Sequence, residues 1–76
     1  MEELLEILNR INPRVDYAAE DRLMDGRVYD EHNIVDLISA ISEAFDVEIG
    51  PEYLIPKNFN SAAAMWAMIQ RIQADD

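Results

Sequence analysis

Three segments of the sequence carry apolar residues at the spacing of an α-helix. In each segment these residues recur at intervals of three and four, which places them on one helix face. The three stripes are Leu4, Ile7, Leu8 and Ile11; Ile34, Leu37, Ile38, Ile41 and Phe45; and Ala62, Met65, Ile69 and Ile72. With only two glycines and three prolines to form turns, the sequence predicts an all-α fold and not a many-turned β-protein.

The segments between the stripes define the rest of the predicted architecture. Pro13 ends the first helix, and residues 12–29 have no sustained period, which predicts an ordered loop longer than the usual limit of about 12–15 residues. Asp30 or Glu31 begins the second helix, and Asn60 or Ser61 offers a cap for the last one. We expect a short third helix over residues 52–55, ended by Pro56. The prediction is a single domain, 1–76, with three main helices and one short helix.

The predicted core of this small bundle draws on all four helices. A chain of 76 residues has room for one core and no separate catalytic lobe. The expected core residues are Leu4, Leu8, Ile11, Ile34, Leu37, Ile38, Ile41, Phe45, Ile49, Leu54, Phe59, Met65, Ile69 and Ile72.

The charge of the chain restricts its partners. Six Lys and Arg stand against sixteen Asp and Glu, a net charge of −10, which repels nucleic-acid backbones and anionic membrane surfaces. The sequence contains no cysteine, so disulfides and thiolate chemistry are excluded. A start at Glu2 and Glu3 is unlike a secretory signal, and the apolar window 62–69 is far below the roughly 20 residues of a membrane span. We expect a cytoplasmic monomer.

The acidic residues around the second helix do not form a recognisable catalytic or metal motif. Asp25, Asp30, Glu31 and Asp36 surround His32, but their order is not that of a calcium loop. His32 has no Ser or Thr beside it to activate as a nucleophile. We therefore expect no metal site and no catalytic residue, and we interpret these side chains as a solvated acidic rim.

The outward face of the second helix has a stronger functional signature. Val35 is apolar yet exposed by periodicity, and Asp36, Ser39 and Glu43 surround it, together with Ala40. An apolar centre with an acidic border is typical of a surface that docks on a basic partner. Val35, Asp36, Ser39 and Glu43 are the predicted partner-binding residues.

The order of residues from 29 to 61 resembles that of the acyl and peptidyl carrier proteins. Tyr29 and Asp30 stand where that family has an apolar residue and Asp, the Val35-Asp36-Leu37 triplet matches its apolar-acidic-Leu triplet, and Phe45 matches its closing Phe. Residues 46–51 are similar to its acidic turn into the third helix, and residues 58–61 are most similar to the stand-alone D-alanyl carrier type. The resemblance implies a helix, a long loop, a second helix, a short third and a fourth.

The sequence departs from this family at the attachment site of its cofactor. Glu31 occupies the position of the modifiable serine, and His32 follows it in place of an apolar residue. A phosphopantetheine arm is attached through an alcohol oxygen, which a carboxylate does not supply. A shifted register does not restore the acceptor, because residues 1–38 contain no Ser or Thr. We expect no cofactor; phosphopantetheine would require a different register or a restored serine.

Three functional hypotheses are compatible with the sequence. The first is a carrier-like interaction module without catalytic activity, in which Glu31 supplies a negative charge at the position of the family's phosphate, or is the remnant of a decayed site. Its partner would be the basic surface of a carrier-recognising enzyme, such as an adenylating or acyltransferring one. The second is a true carrier of an acyl or aminoacyl group whose serine was replaced or whose cargo is attached by other chemistry. The third is a small enzyme that uses His32 with Asp30.

Overall fold

The computed structural model describes residues 1–74 and contains only helices and loops. Helix α1 is Glu2–Ile11, α2 is Glu31–Phe45, α3 is the single turn Pro56–Phe59, and α4 is Ala62–Ala74. A 3-10 helix, Pro51–Tyr53, precedes α3. The prediction of an all-α bundle with three main helices, one short helix and a long loop after the first is confirmed. In residues 1–74, no helix combines the length and the apolarity that crossing a membrane requires.

The core lies where α1 contacts both α2 and α4, and α3 closes one end against α4. Eight of the predicted core residues are buried: Leu4, Leu8, Leu37, Ile41, Phe59, Met65, Ile69 and Ile72. Five are half-buried around it: Ile11, Ile34, Ile38, Phe45 and Ile49. Leu54 was predicted wrongly, because it follows the 3-10 helix at the surface and is 47% exposed.

The short third helix also differs from its prediction. Residues 52–55 do not form one helix; the 3-10 helix covers Pro51–Tyr53, and α3 begins at Pro56 instead of ending before it. Proline lacks an N–H group and has its φ fixed near the helical value, so it fits the first position of a helix, whose N–H has no partner in the helix. Both Pro51 and Pro56 occupy such starting positions.

The long loop contributes much of the core that periodicity did not reveal. Tyr17, Leu23 and Tyr29 are buried, and Leu23 is fully inaccessible. The other buried apolar residues outside the predicted set are Ile7, Val47, Ala62 and Met68. The loop is therefore a packed layer of the bundle, which explains how a connection of this length is compatible with a compact domain.

Candidate functional site

The start of α2 is fixed by a reciprocal pair of hydrogen bonds. The Asn33 backbone N–H donates to Asp30 Oδ1 at 2.9 Å, and the Asp30 N–H donates to Asn33 Oδ1 at 3.1 Å. Asp30 is thus the N-cap, and Glu31 is the first residue of the helix. This capping box satisfies backbone groups that a helix start otherwise leaves unpaired. Glu31 and His32 are both exposed beside it and take no part in the cap.

The predicted partner-binding residues lie on the outward face of α2, but they do not form one uniform patch. Val35 is 62% exposed, and Ser39, four residues later, is exposed beside it at the centre of the face. Asp36 and Glu43 are exposed on the flank nearer to α1, where they border shallow depressions that Ile7 and Arg10 also line. Ala40 was expected on the exposed face but is half-buried toward α1.

The opposite flank of α2 borders an apolar pocket of about 390 Å³, which we call the α2 pocket. It lies among α2, the long loop, α3 and the segment that follows the 3-10 helix. Six of its eight lining residues are apolar, and the other two are acidic. The lining residues are Met24, Asp30, Glu31, Ile34, Val35, Ile38, Leu54 and Phe59. Glu31, Ile34, Val35 and Ile38 share one helix face because they are three or four residues apart.

Asn60 holds the loop wall of this pocket in position. Its Oδ1 accepts hydrogen bonds from the backbone N–H groups of Met24 and Asp25, both at 3.0 Å, and its Nδ2 donates to Asp25 Oδ2 at 2.9 Å. The Asn60 carbonyl also accepts from the Leu23 N–H at 2.9 Å. One residue between α3 and α4 therefore fixes three consecutive loop residues. Ser61, the alternative cap, bonds the Ala64 N–H at 3.0 Å and caps α4.

The chemistry available at the head of α2 is that of carboxylates. Ser39 is the first serine or threonine in the chain, and at a rise of about 1.5 Å per residue it lies about 12 Å along α2 from Glu31. Within residues 1–74, no group of three His, Asp or Glu side chains is placed to hold a metal ion. The described site offers an apolar pocket, an acidic entrance and an exposed valine beside it.

Comparison with protein-family models, with curated proteins and with solved structures found no match.

Sequence reasoning identified the residues of the outward face but not the pocket next to it. Met24 and Leu54 lie in loops without periodicity, and Ile34, Ile38 and Phe59 were interpreted as core. One indication was present in the sequence. Val35 is an apolar residue at a position that helix periodicity places on the solvated face. Asn60 was considered only as a helix cap, and its role in the loop depends on contacts 35 and 36 residues away in sequence.

Proposed function

We propose that this protein is a carrier-like interaction module that docks on the basic surface of a carrier-recognising enzyme through α2. The observation that carries the proposal is Val35, an apolar side chain 62% exposed at the centre of a face bordered by acidic residues. Exposed apolar residues within a polar border are typical of docking surfaces, whose centre buries apolar groups and whose border sets specificity. The net charge of −10 favours encounter with a basic partner.

The order of elements supports the carrier-like part of the proposal. A helix, a long packed loop, a second helix, a short helix and a final helix follow one another as the resemblance implies. Asp30 begins α2 where the family has its Asp, and Glu31 is exposed at the position of the modifiable serine. A carboxylate at the first turn of a helix is favourable for the same reason as a phosphate there, since both interact with the positive end of the helix dipole. We propose that the module acts without phosphopantetheine.

The alternative function is a true carrier of an acyl or aminoacyl group whose attachment serine has been replaced. The α2 pocket favours keeping this alternative, because an apolar space opens beside the residue that stands at the attachment position. The two functions differ in whether protein isolated from its own cells carries a covalent group. Intact mass measurement of that protein distinguishes them.

The docking proposal is tested by binding to two classes of purified enzyme, a phosphopantetheinyl transferase and a D-alanyl-type adenylating enzyme. Replacement of Asp36 and Glu43 by Lys should slow association more than it accelerates dissociation, and raising the salt should weaken binding of the parent protein. The matched control replaces Glu6 and Asp16 by Lys, which changes the net charge equally at exposed positions outside α2. Equal losses in both double variants would show that only overall charge matters, and equal binding at low and high salt would contradict the proposal.

A further inference from the structure

We propose that the α2 pocket binds a small amphiphilic cation, with an apolar tail inside the pocket and an ammonium group at the entrance beside Asp30 and Glu31. This inference goes beyond the proposed function, because it concerns a free ligand and not an enzyme partner or a covalently attached group. It does not depend on enzyme docking through Asp36, Ser39 and Glu43, although Val35 belongs both to that docking face and to the rim of the pocket.

The size and lining of the pocket fit a small ligand with an apolar tail. Its volume of about 390 Å³ falls within the range of roughly 300–1,000 Å³ that is common for small-molecule sites. Ile34, Ile38 and Phe59 provide half-buried or buried walls, whereas Val35 and Leu54 remain 62% and 47% exposed at the rim. A ligand tail would remove this exposed apolar surface from water, which is the main favourable contribution to binding in such sites.

The carboxylates at the entrance of the pocket favour a ligand with a positive charge. Among residues 1–74, the only charged ones that line the pocket are Asp30 and Glu31, and both are exposed. The α2 start contributes a positive partial charge of about +0.5, which two carboxylates outweigh. The net charge of the chain, −10, is also negative. An alkyl carboxylate would therefore meet repulsion at the entrance, while an alkyl ammonium would be attracted.

The cap of α2 holds the Asp30 carboxylate in place at the entrance of the pocket. The capping bond engages Oδ1 of Asp30, and a carboxylate has a second oxygen, Oδ2, that accepts further hydrogen bonds. Glu31 follows directly in the first turn of α2, so the start of this helix carries both carboxylates that line the pocket. Because exposed ion pairs contribute little by themselves, we expect the tail to supply the affinity and the carboxylates to supply the selectivity.

The experiment compares three probes that share an eight-carbon tail: octylammonium, octanol and octanoate, each below its aggregation concentration. Binding is measured by titration calorimetry and by the shifts of backbone amide signals in NMR spectra. We expect octylammonium to bind at least about tenfold more tightly than octanoate, with octanol between them. The largest amide shifts should fall on Ile34, Val35, Ile38 and Leu54.

Matched variants test the charge selectivity at the entrance and the apolar contact with the tail separately. D30N with E31Q should reduce the preference for octylammonium over octanoate by about tenfold, whereas E43Q, which removes an exposed charge on α2 outside the pocket, should leave it unchanged. Leu54→Ser should weaken all three probes, whereas Ile55→Ser should not, since Ile55 is 45% exposed but does not line the pocket.

Three outcomes would overturn the proposal. The first is equal binding of octylammonium and octanoate, or shifts that map away from the pocket. The second is equal sensitivity to Leu54→Ser and Ile55→Ser. The third is binding of a Lys-Leu-Lys peptide amide at this pocket in the absence of octylammonium binding, which would identify a basic protein segment as the occupant. Loss of enzyme docking in the Asp36 and Glu43 variants tests the proposed function separately, because those residues do not line the pocket.

Discussion

The hydroxyl oxygens of Tyr17 and Tyr29 lie 2.5 Å apart in the interior and join the long loop to the end of α1. The Tyr17 hydroxyl oxygen lies 2.8 Å from the carbonyl oxygens of both Leu8 and Asn12, to either of which it can donate its single hydrogen, and the Tyr29 hydroxyl lies 3.2 Å from the carbonyl oxygen of Leu8. The two rings pack edge to face, with centroids 6.4 Å apart. Asp30, the N-cap of α2, follows Tyr29 directly, so this pair lies next to the start of α2.

The tyrosine pair predicts that stability falls in alkaline solution. Burial raises the pKa of both phenols above the ordinary value of 10.0, and the neighbouring Tyr17 raises the pKa of Tyr29 further, while the bond to Tyr29 partly lowers that of Tyr17. A group with a pKa higher in the folded state stabilises the fold fully below its unfolded pKa and loses that contribution as the pH rises. We expect the melting temperature to fall above about pH 10.

The control for this prediction is the double variant Tyr17→Phe with Tyr29→Phe. It removes both titrating hydroxyls while keeping the rings, so its melting temperature should fall less steeply above pH 10 than that of the parent. Parallel curves for the two proteins would show that other groups cause the alkaline loss.

The two tyrosines should differ in their effect on stability near neutral pH. Tyr17→Phe removes the hydroxyl that contacts the carbonyls of both Leu8 and Asn12, whereas Tyr29→Phe leaves those contacts in place. Loss of a buried hydrogen-bond partner costs about 1–3 kcal/mol, so Tyr17→Phe should be the more destabilising change. Urea denaturation of both variants tests this order, and a larger loss for Tyr29→Phe would contradict it.

Asn60 should stabilise the loop wall of the α2 pocket. Asn60→Ala removes the acceptor of the Met24 and Asp25 N–H groups, and we expect a loss of about 1–3 kcal/mol of unfolding free energy. Hydrogen exchange of these two amides should accelerate more than that of the α1 amides. Asn9→Ala is the matched control, since Asn9 is exposed and bonds only within α1. Similar losses in the two variants would argue against a special role of Asn60.

The central stripe of α2 should divide into strongly and weakly stabilising positions. Ile41 is fully buried, and Ile41→Ala should cost about 2–5 kcal/mol, comparable with the whole stability of so small a domain. Phe45 is half-buried against Trp66, with ring centroids 5.8 Å apart, so Phe45→Ala should cost less. Ser39→Ala, at an exposed position, should change stability by under about 0.5 kcal/mol. Thermal unfolding followed by circular dichroism measures all three.

The three main helices were predictable from the sequence, whereas the packing of the loop and the α2 pocket were not. The stripes Leu4 to Ile11, Ile34 to Phe45 and Ala62 to Ile72 repeat with a local period, so each helix could be located from its own residues. Tyr17, Leu23 and Tyr29 are buried through contacts with α1 and with Asn60, and no short window of sequence contains both partners. The α2 pocket was not predicted for the same reason, because Met24, Val35 and Leu54, which line it, are far apart in the sequence. The outward position of Val35, by contrast, followed from helix periodicity alone.

The sharpest prediction concerns Glu31 and the attachment of phosphopantetheine. The parent protein should gain no mass when incubated with coenzyme A and a broad phosphopantetheinyl transferase, because α2 begins with a carboxylate and not an alcohol. Intact mass spectrometry measures this directly. A gain of one arm by the parent would show that another residue is the acceptor and that the assigned register is wrong.

Glu31→Ser should restore the acceptor without disturbing the fold. Asp30 and Asn33 form the cap by themselves, and Glu31 is exposed beside them, so the substitution should change stability by less than about 1 kcal/mol. His32 occupies the position after the serine, where the family has an apolar residue that transferases contact. The test therefore includes Glu31→Ser with His32→Leu, which we expect to gain the mass of one arm. Ser39, which both variants retain about 12 Å along the helix, serves as an internal control for the position of the hydroxyl. If the double variant folds as the parent does but remains unmodified by several transferases, the resemblance to carrier proteins extends only to the order of the helices, and the proposal that carrier-recognising enzymes bind this surface is contradicted.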